Sequence, residues 1–559
     1  MVKFILDNFD TIFRDEKSFE TFDKMILDLA VRGKLVPQIE DEEPASKLLQ
    51  RIKEEKEKLI AEKVIKKEKP LPSITEDEKP FDIPTSWEWV RLGEIAFKVT
   101  DGSHNPPRDS SVGFPMFSAK NIIKGELDYY NPDRYVTLED FEKENMRTKI
   151  KENDILLSIV GSIGKTCIVK NYQTNFILQR SVSVLDIPID KKYIIILLNS
   201  NFLLKQMFSK AKGTAQLGIY LNVVKNLVLS LPPLKEQERI VEKVEKLQEL
   251  SKKFKEIYNS NEKTRANLKK SILEEVEKSD TNNELLISLE KLFGNFEKVI
   301  KTKEDVKDIR NLILSLAVRG KLVPQIEDEE PASKLLEKIK EEKERLISEK
   351  VIKKEKPLPL ITEDEKPYDI PTSWEWVYFS DVLDVRDGTH DTPKYQASGI
   401  PLVTSKNIYN GTLNFENLKY ISYEDHLKIS SRSKVELNDI LFAMIGSIGN
   451  PVIVDTNKEF SIKNVALFKY YIKNSIDKKY LWYYLKHVQD NMILNASGGV
   501  QKFVSLGYLR KYIFSLPPLK EQERIVKRVD ELMAVCDTLE SKIEIGEKIN
   551  QKLLASLLK

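Results

Sequence analysis

Two stretches of this chain carry apolar residues every three or four positions. In the first they fall at Ile240, Val244, Leu247, Leu250, Phe254 and Ile257. In the second they fall at Ile525, Val529, Leu532, Val535, Leu539, Ile545, Ile549, Leu553 and Leu557. That spacing gathers the apolar side chains into one seam and predicts two long amphipathic helices of coiled-coil type, packed on each other antiparallel. Pro233 and Pro518 suit a first helical turn, and Glu236 and Glu238 set negative charge at the positive end of the helix dipole. The seam weakens over "NSNEKTRAN" (259–267), where a break or bend is expected. Residues 42–63 and 329–350, each opening on a proline, also read as helix, whereas "KEKPLPSITEDEKPFDIPTSWEWV" (67–90) is proline-punctuated and extended. Elsewhere short β-rich runs ("DILLSIV", "ILQRSVSVL", "DILFAMI") alternate with turns such as Asp101-Gly102. These predict compact α+β domains.

The pattern occurs twice because the chain is duplicated. "LPPLKEQERIV" stands at 231–241 and again, letter for letter, at 516–526. Residues 29–90 match 316–377 without a gap and differ only at Gln50/Glu337, Arg51/Lys338, Lys58/Arg345, Ala61/Ser348, Ser73/Leu360 and Phe81/Tyr368. Between these constant parts the halves agree only in outline: "VTDGSHNPPRDS" faces "VRDGTHDTPKYQ", "FSAKNI" faces "VTSKNI", and "NDILLSIVGSIGK" faces "NDILFAMIGSIGN". Each half is thus a helical segment (1–81, 289–368), a variable domain (82–232, 369–517) and a spacer helix (233–288, 518–559), a pseudo-two-fold internal repeat. Constant surfaces present twice can hold one kind of partner twice, and variable domains on a shared scaffold can bind two different targets.

At 559 residues the chain is too long for one core. No run of about eighteen apolar residues marks a membrane span, and the N-terminus has no cleavage signal. Cys167 and Cys536 are too few for a disulfide framework or a thiolate zinc site, and a reducing cytoplasmic location is expected. Net charge is +2, but residues 91–230 hold 19 Lys/Arg against 14 Asp/Glu and residues 378–515 hold 17 against 13. The variable domains are therefore mildly basic, which by itself decides little.

Three strings invite catalytic readings and fail. "GSIGKT" (161–166) lacks the glycine a phosphate-binding loop needs five positions before Gly164, and the second copy loses the lysine; it reads as a tight glycine turn. Asn105-Pro106-Pro107 is followed by Arg108 where an adenine methyltransferase would place an aromatic ring to stack on the flipped base. His104 and His390 sit in matching "DG[ST]H" turns without a second ligand at metal spacing, which suits a turn-stabilising or DNA-facing role. Trp87 and Trp374, identical in both halves at the domain entrance, read as core rather than as base-stacking platforms.

The ordered array "IPTSWEWVRLGEI", "DGSH", "NDILLSIVGSIGK", "GTAQ" and "LPPLKEQERIV" resembles the specificity subunits of type I restriction–modification systems, over essentially the whole chain and in both halves. "LAVRGKLVPQ" and "EPASKLL" resemble the same family; the long N-terminal segment, residues 1–80, departs from it. The resemblance implies two target-recognition domains that each read one part of a bipartite, asymmetric site in double-stranded DNA, with two long helices spacing them. It implies docking of two methyltransferase subunits and of restriction subunits. It also implies no catalysis and no cofactor in this chain, with S-adenosylmethionine, ATP and Mg belonging to the partners, and no membrane. The alternative is a non-catalytic coiled-coil tether whose modules bind proteins.

Bases are read at their edges in the grooves, whereas phosphate contacts orient. Candidate DNA-binding residues are Arg108, Lys120, Asn121, Lys165, Gln179 and Arg180 in the first domain, and Lys394, Lys406, Asn407, Lys463, Asn464, Gln501 and Lys502 in the second. The shared pairs Lys120-Asn121 and Lys406-Asn407 suit phosphate contact or a turn. Gln179-Arg180 against Lys463-Asn464 differ at matching places, as base readers should.

Overall fold

The computed structural model describes residues 12–557 except 14, 171–174, 214–215, 280, 410 and 498–501. The chain forms two compact units, residues 1–262 with 547–559, and residues 263–546. Each mixes helix and strand, and the two repeat one plan.

In the first unit, helix α1 (Glu16–Val31) is followed by α2 (Ala45–Ala61) and by an extended arm. Strand Glu88–Arg91 then enters the variable domain and pairs antiparallel with the exit strand Val228–Leu231, Glu88 opposite Leu231. Entrance and exit therefore lie side by side. Between them stands an antiparallel four-stranded sheet in the order Lys98–Asp101, Val182–Asp186, Ile155–Ser158, Thr166–Ile168. A second, three-stranded sheet sets Phe114–Phe117 between Arg134–Val136 and Ile177–Leu178. Helix α3 (Leu138–Thr148), capped by Thr137, follows the strand Arg134–Val136. The spacer is one unbroken helix, α4 (Leu234–Lys278).

The second unit repeats α1 and α2 as α5 (Lys303–Val318) and α6 (Ala332–Ser348). Its four-stranded sheet runs Leu383–Asp387, Val465–Tyr470, Ile440–Ala443, Gly449–Ile453, and its three-stranded sheet sets Ile400–Val403 between Lys419–Ile421 and Ser461–Ile462. Helix α7 (Tyr423–Ser433) matches α3, and α8 (Leu519–Leu557) is the second spacer. Strand order and direction agree in both domains although most side chains differ. The central strands Ile155–Ser158 and Ile440–Ala443 are buried along their whole length, Leu156 and Leu441 entering a different core from their neighbours in the strand.

"LPPLKEQERIV" is the joint between domain and spacer. Gln237 donates to Pro232 O (2.9 Å) and accepts from the Asp190 amide (3.1 Å), tying the helix start to the domain. Buried Glu236 accepts from Trp87 Nε1 (2.9 Å) and Gln38 Nε2 (2.6 Å), and Arg239 pairs with Glu42. The second copy repeats this with Gln522, Asp477, Glu521, Trp374 (3.0 Å), Gln325 (2.5 Å), and Arg524 paired with Glu329. Burial pushes the carboxyls of Glu236 and Glu521 up, against the hydrogen bonds from tryptophan and glutamine. Gly33 makes the joint possible: at φ +68° a Cβ there would meet the Pro84 ring at 2.5 Å. Both tryptophans are core, as expected.

Within each unit the spacer seam packs on the helix that precedes the near-identical stretch, α1 or α5. Ile240, Val244, Leu247 and Phe254 share a core with Phe19 and Phe22 of α1, with Phe13 stacked on Phe19 at 4.4 Å. Ile525 and Val529 of α8 share a core with Val306 and Ile313 of α5, and Arg310 bonds Asp537 (2.6 Å) and Glu540 (3.1 Å). The upstream segment thus covers the first turns of each seam, whereas Ile257, Val535, Ile545 and Ile549 are exposed. The break expected at 259–267 is absent. Arg265 and Lys269 bond Asp305 (2.8 and 2.6 Å) and Lys269 also bonds Asp308 (2.6 Å), so ion pairs hold α4 where its apolar seam lapses.

Candidate nucleic-acid interface

In the first domain three turns meet at Ser181. Its hydroxyl accepts from the Ala119 amide (3.1 Å), joining the Ser118–Asn121 turn. Its carbonyl accepts from the Ile159 amide (2.8 Å), joining the strand that leads into the glycine turn 161–164. The Gln179–Ser181 turn itself bonds the "DGSH" loop, through Ser103 N to Leu178 O (2.7 Å) and Arg180 N to Ser103 O (2.9 Å). Gly102 is required there, because a Cβ would stand 2.1 Å from Leu178 O. The second domain repeats the joint: Thr389 N bonds Ile462 O (3.0 Å), Asn464 N bonds Thr389 O (3.3 Å), and Met444 N bonds Asn464 O (3.2 Å).

This clusters most of the expected residues. Arg108 and Arg180 are exposed on adjoining loops, and Gln179 is half-buried, its side-chain oxygen accepting from Ser181 Oγ (3.3 Å). Lys165 is exposed at the end of the glycine turn, its amide bonded to Ser158 Oγ (2.8 Å). Lys120 is exposed and paired with Asp133. In the second domain Lys394, Lys406 and Lys502 are exposed, Lys463 bonds Thr392 Oγ1, and Asn464 sits at φ +56°. Gln501 lies outside the described residues.

Asn121 and Asn407 play the turn-holding part. Both are buried; Asn121 Oδ1 accepts from Ser118 N (2.9 Å) while its amide donates to Asn131 O (2.6 Å), and Asn407 Oδ1 accepts from Thr404 N (3.0 Å). Such a side chain has little left to offer a ligand.

One cluster escaped the sequence. Asp101, buried at the end of its strand, holds two exposed side chains: His104 Nε2 lies 2.8 Å from Oδ2, and Arg147, at the end of α3, bonds Oδ1. In the second domain His390 Nε2 lies 2.7 Å from Asp387 Oδ2, and Arg432 of α7 bonds Oδ1 at 3.0 Å. A cleft of about 260 Å³ beside this cluster is lined by Thr389, Thr392, Lys428 and Arg432, with Asp391 and Asp425 also on its wall. Asp–x–x–His was visible in both halves. The arginines were not, since they lie more than forty residues downstream among diverged sequence; carrying the alignment into "NMRTK" and "SSRSK" would have found them. Among the described residues no three His, Cys, Asp or Glu side chains group as a metal site requires.

Residues 84–260 and 371–551 both match the family model of the type I restriction modification DNA specificity domain. The chain is 31% identical to the type I restriction enzyme EcoAI specificity subunit of Escherichia coli over 569 residues, covering 96% of this chain and 92% of that protein. It is 29% identical to the EcoEI specificity subunit of the same organism over 572 residues, with the same coverage of 96% and 92%. Among solved structures, the HsdS subunit from Thermoanaerobacter tengcongensis aligns at 17% identity and a TM-score of 0.42, covering 86% of this chain and 98% of that one.

Proposed function

The chain belongs to the DNA specificity family of type I restriction–modification systems, as a specificity subunit with two recognition domains, and from that premise we propose that each domain reads one part of a split, asymmetric site in duplex DNA. One observation supports this above all. Two domains of the same strand order and joint geometry present different side chains at the turns that converge on Ser181 and on its counterpart region, Gln179-Arg180 in one and Lys463-Asn464 in the other. A fixed frame with changed loops is what two readers of different sequences require.

The chain is a non-catalytic component of its assembly. Adenine methylation and ATP-driven cleavage, with S-adenosylmethionine, ATP and Mg, would fall to two methyltransferase subunits and to restriction subunits. Helices α2 and α6 suit docking of two copies of one partner. Only Ala45, Leu48 and Ile52 of α2 are fully buried, yet α6 keeps 13 of its 17 residues, and two of the four exchanges, Arg51/Lys338 and Lys58/Arg345, keep the charge. Identity at exposed positions points to a contact made outside the chain.

The test is to map methylated adenines in cells that express the methyltransferase partner with and without this chain. A split motif that appears only with the chain is expected. Methylation that ignores the chain, or follows an unsplit motif, overturns the proposal.

A further inference from the structure

We propose that the Asp101–His104–Arg147 and Asp387–His390–Arg432 clusters are paired phosphate clamps, one on each recognition domain, that grip the DNA backbone without reading bases. The inference rests on the DNA-reading function proposed above and names residues for its sequence-independent part.

The geometry is the same twice. A carboxylate buried at a strand end accepts from a histidine three residues on and from an arginine at the end of the helix packed across it. The acids are 6% and 8% exposed, whereas the side chains of His104, Arg147, His390 and Arg432 are 53%, 44%, 60% and 68% exposed. Each histidine and arginine is thus tied to a buried acid and still open to solvent. A guanidinium has five N–H donors in a rigid fork. Asp387 takes one bond from Arg432 Nη2, which leaves the fork's other donors for an oxyanion. Beside Arg432 the cleft adds the ammonium of Lys428, which also pairs with Glu424 at 2.8 Å; the hydroxyls on its wall are engaged, Thr389 Oγ1 donating to Asp391 O (3.2 Å) and Thr392 Oγ1 accepting from Lys463. Of the acids on that wall, Asp425 is turned to Ser422 in the cap of α7 (2.9 Å).

Phosphate rather than base follows from comparing the halves. Around the clusters the side chains have changed: Arg108 stands against Lys394, Gln179-Arg180 against Lys463-Asn464. The clusters have not. Two different half-sites share only the sugar–phosphate backbone, so a cationic group kept the same on both readers matches what both half-sites have in common. A purely internal tie between strand and helix would need neither a second side chain on the acid nor a guanidinium so open to solvent.

The experiment uses the full chain assembled with its methyltransferase partner, a labelled duplex carrying the mapped split site, and a scrambled duplex of equal length. Arg147→Gln and Arg432→Gln are each expected to weaken binding roughly tenfold on both duplexes alike. The slope of log affinity against log salt should become shallower by about 0.9 per arginine removed. Arg147→Lys and Arg432→Lys, which keep the charge, should restore most of the slope, and the methylated motif should not change. An unchanged slope together with a lowered melting temperature makes the cluster an internal tie and overturns the clamp. Loss confined to the split-site duplex makes the arginines base readers, and overturns it too. If the parental complex shows no preference for the split site, the recognition function itself fails and the clamp with it; preference intact with slopes unmoved removes the clamp alone.

Discussion

Trp87 shows how far a single residue can be read. Its identity with Trp374 marked it as core, and it is buried. Its role as donor to Glu236, 149 residues away, was not visible, because a hydrogen-bond partner leaves no periodic trace in sequence. Trp87→Phe keeps an aromatic but smaller ring and removes one of the donors to a buried carboxyl, so a loss of about 1–3 kcal/mol is expected in urea denaturation, with Trp374→Phe costing a similar amount. Asn121 likewise bonds within its own turn, to Ser118 N and Asn131 O, partners that leave no periodic trace. Arg91 shows where the near-identical arms are held differently. It is buried and donates to Pro72 O (2.6 Å), Asn226 O (2.9 Å) and Glu78 (2.7 Å), whereas the second domain has Tyr378 at that place. The Arg91 hydrogen bond holds the Glu78 carboxyl down at about 2. Arg91→Ala should release the first arm, residues 67–80, to limited proteolysis while the second stays protected. For specificity the exchange Gln179→Lys with Arg180→Asn is expected to change the bases read in the first half-site and none in the second, as methylome sequencing would record.

At the scale of elements, periodicity located both spacer helices and misplaced a break. A polar stretch carries no apolar signal, but nothing in Asn, Lys, Glu or Thr stops a helix when long-range ion pairs hold it. Asp305 is the anchor. Burial works against its charge, yet bonds from Lys269, the Lys301 and Thr302 amides and the Thr302 hydroxyl outweigh burial and hold the carboxyl at about 2. The unfolded chain binds that proton near the ordinary value of 3.8, so between about 4 and about 2 it takes up more protons than the folded one. The stabilisation is therefore present above about pH 4 and is lost as pH falls towards 2. Thermal melts across that range should show it, and Asp305→Asn should flatten this part of the curve. A melting curve as steep in the variant as in the parent would mean that Asp305 does not anchor the helix.

For the whole molecule, the duplication is a statement about genes and the compact units are a statement about contacts, and the two divide the chain at different places. The sequence halves meet near residue 288. The units change at Glu262, because residues 263–278 bury Ile272 and Val276 among the side chains of 285–318. The near-identical flanks and matching entrance and exit strands predict that the variable domains can be exchanged. Replacing residues 91–230 with 378–515 should yield a soluble protein whose assembled complex methylates a site built from two copies of the second half-site. Retention of the original split motif would show that these domains are not the readers.

Sequence alone determined the repeat, the division into constant and variable parts, the α+β class and the long helices, because each is written in local periodicity or in direct self-similarity. Tertiary structure alone decided which side chains stand together. The Glu236 and Glu521 joints, the α1 and α5 faces that receive the spacer seams, and the Asp101 and Asp387 clusters all join residues tens to hundreds of positions apart. Such pairings depend on burial and on the meeting of backbone turns, and these exist only once the chain has closed around its cores.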